Sequence, residues 1–96
     1  MNENKTKLIE LGFNINSMGF IYWLDAINYL EEHPLWWDVI DIYDYVANKH
    51  NSTISRVERD MRTAIEPAKK NIQEYYKYTR RIKNETFLNL LKIERL

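Results

Sequence analysis

The sequence predicts an all-α fold of about five or six helices. Apolar residues recur every three or four positions along successive stretches, strand-like alternation is weak, and only 2 Gly and 2 Pro interrupt the 96 residues. Such spacing gives each helix one apolar face to bury and one polar face to leave in water. A hydrophobic share of 45% with a charged share of 29% suits a globular chain, not a disordered one. The length fits a single domain spanning residues 1–96. An aromatic share of 14% supplies large rings, which build a core in a short chain.

The elements follow in order. A first helix is read over residues 7–11, with Asn4 or Thr6 as its cap, and Gly12 stands where a left-handed C-terminal cap belongs. After a loop over 13–16, Asn16 or Ser17 can cap a second helix. Phe20, Trp23 or Leu24, Ile27 and Leu30 recur along it at helical spacing, and Pro34 forces its end near Glu32 and His33. A third helix is expected from about Trp36 to Lys49. Its apolar stripe is Trp36, Val39 or Ile40, Tyr43, and Val46 or Ala47, with Asp38, Asp41 and Asp44 toward the other side. Asn51 tolerates the left-handed backbone of a tight turn, and Ser52 or Thr53 can cap a fourth helix.

On that fourth helix Ile54, Val57, Met61, Ala64, Ile65 and Ala68 fall within about 100° of one another. Arg59 lies opposite the centre of the arc, flanked by Ser55, Arg56, Arg62, Thr63 and Glu66. Pro67 ends or kinks the helix, because it removes a hydrogen bond to Thr63. The stretch 69–83, rich in Tyr and basic residues, is expected to be helical in part. Asn84-Glu85-Thr86 reads as the cap of a last helix, with Phe87, Leu88, Leu91 and either Leu90 or Ile93 on its apolar side.

Several classes of function are excluded or weakened. The absence of Cys removes disulfides, thiolate zinc sites and thiol catalysis. No signal peptide and no run of about 18 apolar residues is present, so a cytoplasmic protein is expected. His33 and His50 have no partner at metal-binding spacing, and the Asp38, Asp41, Asp44 ladder does not supply a wrapped oxygen cage. No Gly-rich phosphate loop and no Ser/His/Asp arrangement is recognisable. No enzyme activity, metal or cofactor is therefore expected.

Charge is informative through its distribution. The net charge is zero, yet residues 1–50 carry three basic against eight acidic side chains, and residues 51–96 carry eleven against six. An excess of −5 in one half and +5 in the other suggests a polyanion-binding half. Residues 37–66 form the pattern of a helix, a tight turn and a capped helix with a basic outer face, which is a helix-turn-helix signature. Arginines there can reach guanine O6 and N7, and Glu58 can accept from cytosine N4. A solvated arginine face on a helical bundle is the alternative. Trp36 and Trp37 read as core, whereas Tyr75, Tyr76 and Tyr78, beside Arg80, Arg81 and Lys83, fit packing and phosphate contact equally well.

Two stretches, LGFNINSMGFIYWLDAI at 11–27 and YDYVANKHNSTISRVERDMRTAIEPA at 43–68, resemble the DNA-binding effector domains of the stage zero sporulation protein A family of sporulation response regulators. NETFLNLLKIERL at 84–96 resembles the closing helix of those domains, so the likeness runs in order along nearly the whole chain. The resemblance implies about six helices and major-groove recognition by the fourth. It also implies a TGTCGAA-like target, often in tandem head-to-tail copies. Carried over by position, Arg56, Glu58, Arg59 and Arg62 become the base- or phosphate-reading set, with Ser55 on the backbone; the first four are taken as the base readers, and the hydroxyls of Thr53 and Thr63 are added as phosphate contacts. Arg80, Arg81 and Lys83 are candidates for additional DNA contacts. The chain departs from the family pattern at Asp60, Thr63 and Pro67 and has a shorter linker before the last helix. With almost nothing before the effector-like region, a stand-alone domain lacking the phosphoacceptor receiver is expected. The implied function is a sequence-specific regulator of transcription on double-stranded DNA, bound as a dimer or in tandem. The alternative is a protein-interaction module that modulates a related full-length regulator or RNA polymerase through its acidic, aromatic second and third helices.

Overall fold

The computed structural model describes residues 3–34 and 37–95, which form six α-helices and one 3-10 turn, with no strand among the described residues. In order they are α1 (Glu3–Leu11), α2 (Met18–Glu32), α3 (Val39–Lys49), α4 (Ile54–Ile65), the 3-10 turn (Glu66–Ala68), α5 (Lys69–Tyr76) and α6 (Asn84–Arg95). The all-α reading holds.

Helices α2, α3 and α4 pack against one another, and α6 closes on α4. Trp23, Ile42, Val46, Val57, Met61, Ile65, Phe87, Leu88 and Leu91 fill the space between them and are fully buried. Phe13, Trp23 and Phe87 meet edge-on or tilted, with ring centroids 5.3–5.5 Å apart. Such geometry sets the positive edge of one ring against the negative face of the next. The indole Nε1 of Trp23 donates to the Met61 carbonyl oxygen at 2.8 Å, tying α2 to the middle of α4.

At Gly19 the backbone of α4 lies close against α2. A Cβ there would lie 2.1 Å from the Asp60 carbonyl oxygen and 2.8 Å from the Ala64 Cβ. The missing side chain is therefore what lets the α4 backbone approach α2.

The boundaries show what local signals decide. Gly12, at φ +96°, ends α1, and its N–H and that of Phe13 return to the carbonyls of Ile9 and Leu8. Pro67 ends α4 through the 3-10 turn. Asn51 takes the left-handed conformation, and the N–H of Ser52 reaches back to the Ala47 carbonyl at 2.8 Å. Lys77 does the same at the end of α5, where no residue type announced it.

Other expectations are corrected. Helix α1 begins at Glu3, so Asn4 and Thr6 lie inside it rather than capping it. The Asn4 amide instead donates to Glu31 at 2.9 Å, joining α1 to the end of α2. Ser17 stands at the N-cap of α2 with extended backbone, but its hydroxyl donates to the Asn14 carbonyl and caps nothing. Trp37 and Asp38 precede α3, which starts at Val39; the expected place of Trp36 on its stripe lies outside the described residues. Ile42, not Ile40, joins Tyr43, Val46 and Ala47 in the core. Asn84 is not the cap of α6: it is its first residue, and the Thr86 hydroxyl accepts from the Lys83 N–H just before it. On α6, Leu90 packs against the core and Ile93 is exposed.

Candidate nucleic-acid interface

The exposed side of α4 carries the residues singled out by the helical wheel. Its start is fixed by Thr53, whose Oγ1 accepts from the Arg56 N–H at 3.2 Å. This satisfies one of the free amides of the first turn. From there Ser55, Arg56, Arg59, Arg62 and Thr63 all reach solvent, while Val57, Met61, Ala64 and Ile65 hold the opposite side in the core. The structure thus brings the predicted residues of α4 onto one face.

The arginines differ in their engagements. Arg62 Nη1 donates to both carboxylate oxygens of Glu58, at 3.0 and 3.1 Å, one helical turn away. That pairing occupies Nη1 and leaves the Nε–Nη2 edge of the guanidinium unengaged by any described residue. A guanidinium edge with two parallel N–H groups is what spans guanine O6 and N7. Arg59 Nε lies 3.6 Å from Asp60, with the Arg59 side chain 63% exposed. Arg56 has no carboxylate partner among the described residues. Exposed pairs of this kind contribute only about 0–1 kcal/mol, so they orient the side chains without locking them. The Thr63 hydroxyl donates to the Arg59 carbonyl at 3.1 Å, so it has to rotate out of that bond before it can donate to a phosphate.

Behind the helix, the start of α6 braces α4. The amide of Asn84, 5% exposed, donates at 3.2 Å to both the Tyr43 hydroxyl on α3 and the Glu58 carbonyl on α4. Burial pushes the Tyr43 phenol up, opposed by that Asn84 bond, so the hydroxyl stays protonated at neutral pH. Nothing in the sequence marked Asn84 for this, since its position three residues before an apolar stripe reads as a cap.

A cleft beside this brace is lined by Arg62 and Glu58 on one wall and by Arg81, Lys83 and Lys69 on the other. Two of the three additional candidates, Arg81 and Lys83, therefore stand next to the arginine face. Arg80 does not line the cleft; its carbonyl accepts from Gln73 at 2.8 Å. Lys69 was not singled out from the sequence and is held by Glu66 at 2.9 Å.

At the other end of the turn, Asp25 of α2 receives Lys49 Nζ at 3.0 Å and meets His50 Nε2 in a short contact. The Asp25 bond and charge push the Lys49 ammonium up. Tyr22 lies against the His50 ring, with centroids 5.2 Å apart. His50 thus has a partner 25 residues away, invisible to any local spacing rule. The tyrosines at the end of α5 and just beyond it serve packing and internal bonds: Tyr75 and Tyr76 both donate to Glu94, and Tyr76 and Tyr78 pack on the core.

Among the described residues no group of three or more His, Asp or Glu is placed to hold a metal ion, and no helix is long and apolar enough to cross a membrane. No solved structure matches the chain. Residues 5–94 match the family model described as sporulation initiation factor Spo0A C terminal, over essentially the whole chain. That match places this chain in a family of DNA-binding regulatory domains.

Proposed function

We propose that this chain is a sequence-specific transcription regulator that sets α4 into the major groove of a TGTCGAA-like element of double-stranded DNA. The observation that carries the reading is the exposed face of α4. Three arginines project from it over two turns, and the end from which it would enter the groove is capped by Thr53 and followed by Ser55. Arg56, Arg59 and Arg62 read base edges. Glu58 accepts from cytosine N4 or holds Arg62 for guanine. Thr53, Ser55 and Thr63 meet phosphates, and Arg81 and Lys83 extend the contact along the backbone. With a net charge of zero, one copy binds weakly, and a dimer or tandem copies supply the affinity.

The test is fluorescence anisotropy on a duplex of tandem TGTCGAA copies and on a scrambled duplex, across salt, with Arg59→Ala beside the parent. The expected preference is tenfold or more, about 1.4 kcal/mol, and Arg59→Ala removes it. Equal, steeply salt-dependent binding to both duplexes would mean phosphate attraction without readout.

A second reading draws on the other half of the molecule. Asp38, just before α3, and Asp41 and Asp44 along it are exposed, with Glu31 and Glu32 at the end of α2. This acidic side suits a basic protein surface, on RNA polymerase or a related full-length regulator. Loss of DNA binding with retained helicity would favour it.

A further inference from the structure

We infer that Ile40 and Ile54 form an apolar step that reads thymine through its C5-methyl group; the inference rests on the DNA-reading function proposed above. A groove runs between the start of α3 and the first turns of α4, and Ile40, Ile54, Ser55, Arg56 and Arg59 line it. Ile40 is 51% exposed, whereas Ile42, Tyr43, Val46 and Ala47 of the same helix are buried. Ile54, the first residue of α4, packs only partly against the core. A single exposed isoleucine needs no explanation. An exposed Ile40 in one groove with the half-buried Ile54 and with the arginines of α4 poses a more specific question.

The chemistry of the groove selects the occupant. Arg56, Arg59 and Arg62, against the single carboxylate of Glu58, make it suited to a polyanion and unsuited to an apolar protein segment. Phosphates and polar base edges gain nothing from a branched hydrocarbon. In the major groove the C5-methyl of thymine is the apolar group on offer, and it is what distinguishes thymine there from the other bases. The first turn of a recognition helix is the part that meets base edges, so Ile54 enters with Ser55 and Arg56. Ile40 flanks it from α3. The step therefore places thymine methyls next to the bases reached by Arg56 and Arg59. It gives the groove a readout that its charged residues cannot supply.

Burying one methyl changes affinity by about fourfold, or ~0.8 kcal/mol per CH2-sized group. The probe is the tandem TGTCGAA duplex, compared by anisotropy with the same duplex carrying deoxyuridine in place of every thymine of the elements. The parent, Ile40→Ser, Ile54→Ala and Arg59→Ala are measured on both, with circular dichroism to verify folding. Ile40→Ser alters an exposed position, so it tests the step even where Ile54→Ala loosens the core.

The expected result is a parent preference for the thymine duplex of about fourfold or more that Ile40→Ser or Ile54→Ala abolishes. Arg59→Ala should weaken binding to both duplexes. Equal binding of the parent to both, with the Arg59-dependent preference over scrambled DNA intact, overturns the methyl readout and leaves the proposed function standing. A methyl preference that survives in both isoleucine variants overturns the assignment to these residues. Loss of any Arg59-dependent preference overturns the proposed function and this inference together.

Discussion

Replacing Gly19 with alanine tests how closely α4 is seated on α2. Helix propensity alone favours the change, because alanine is better than glycine inside a helix by about 1 kcal/mol. The contact at Gly19 argues the other way. The added Cβ would sit 2.1 Å from the Asp60 carbonyl oxygen and 2.8 Å from both the Asp60 carbonyl carbon and the Ala64 Cβ. A carbon–oxygen contact needs about 3.3 Å, so α2 and α4 must part by roughly 1 Å. The obstructing atoms are backbone and a short side chain, which cannot swing aside. Overpacking of this kind costs about 1–3 kcal/mol, and a backbone obstruction belongs at or above the upper end. The net loss is about 2 kcal/mol, or a fall in Tm of roughly 8–16 °C for a domain of this size. Thermal unfolding followed by circular dichroism, with urea unfolding beside it, measures this directly. Because α4 must also move, preference for the tandem duplex should fall with stability. A Tm equal to or above that of the parent would show that propensity wins and would refute the close approach.

Two further predictions address the closing helix and the flanking basic residues. Burial raises the Glu94 carboxyl, but the Lys7 hydrogen bond and charge, with bonds from Tyr76 and Tyr75, outweigh it and leave the group below its usual value. Its stabilising effect is therefore complete above the unfolded-state pKa and is lost as pH falls through the folded-state value. Between about pH 6 and about pH 3 the urea midpoint of the parent should drop more than that of Glu94→Gln; parallel drops would show that Lys7 and Glu94 do not couple α1 to α6. For the flank, replacing Arg81 and Lys83 together with serine should lower the slope of log affinity against log salt by about 1 for each lost phosphate contact. Preference over the scrambled duplex should hold. An unchanged slope would remove both residues from the interface.

Much of the fold could be read from the sequence because its determinants are local. Gly12, Asn51, Thr53 and Pro67 each act within a turn of where they stand, and the five apolar positions of α4 (Ile54, Val57, Met61, Ala64 and Ile65) repeat a single period. Helix α3 was harder, since Val39, Ile40, Ile42, Tyr43, Tyr45, Val46 and Ala47 are apolar nearly all round and periodicity does not choose among them. Packing against α2 and α4 chooses Ile42 and leaves Ile40 at the rim. What stayed hidden was non-local. Gly19 reads as a weak helix former until α4 lies against it. Asp25 and His50 are separated by 25 residues, and Asn84 is 26 residues from the Glu58 carbonyl it supports. The arginine face was legible because amphipathic spacing alone sets which side of α4 is wet. The pairing of each arginine was not, because it depends on rotamers.

The pairing of Arg62 with Glu58 and of Arg59 with Asp60 has a consequence for how the domain searches. Each pair contributes only about 0–1 kcal/mol, so a phosphate displaces the acid at little cost, but the acid left on the face then repels that same phosphate. Exchange becomes worthwhile only where the acid, too, finds a donor on the base edge. Under the proposed function, the two carboxylates act as a filter on residence time. Most encounters end quickly, and dwell is reserved for sites that accommodate cation and anion at once.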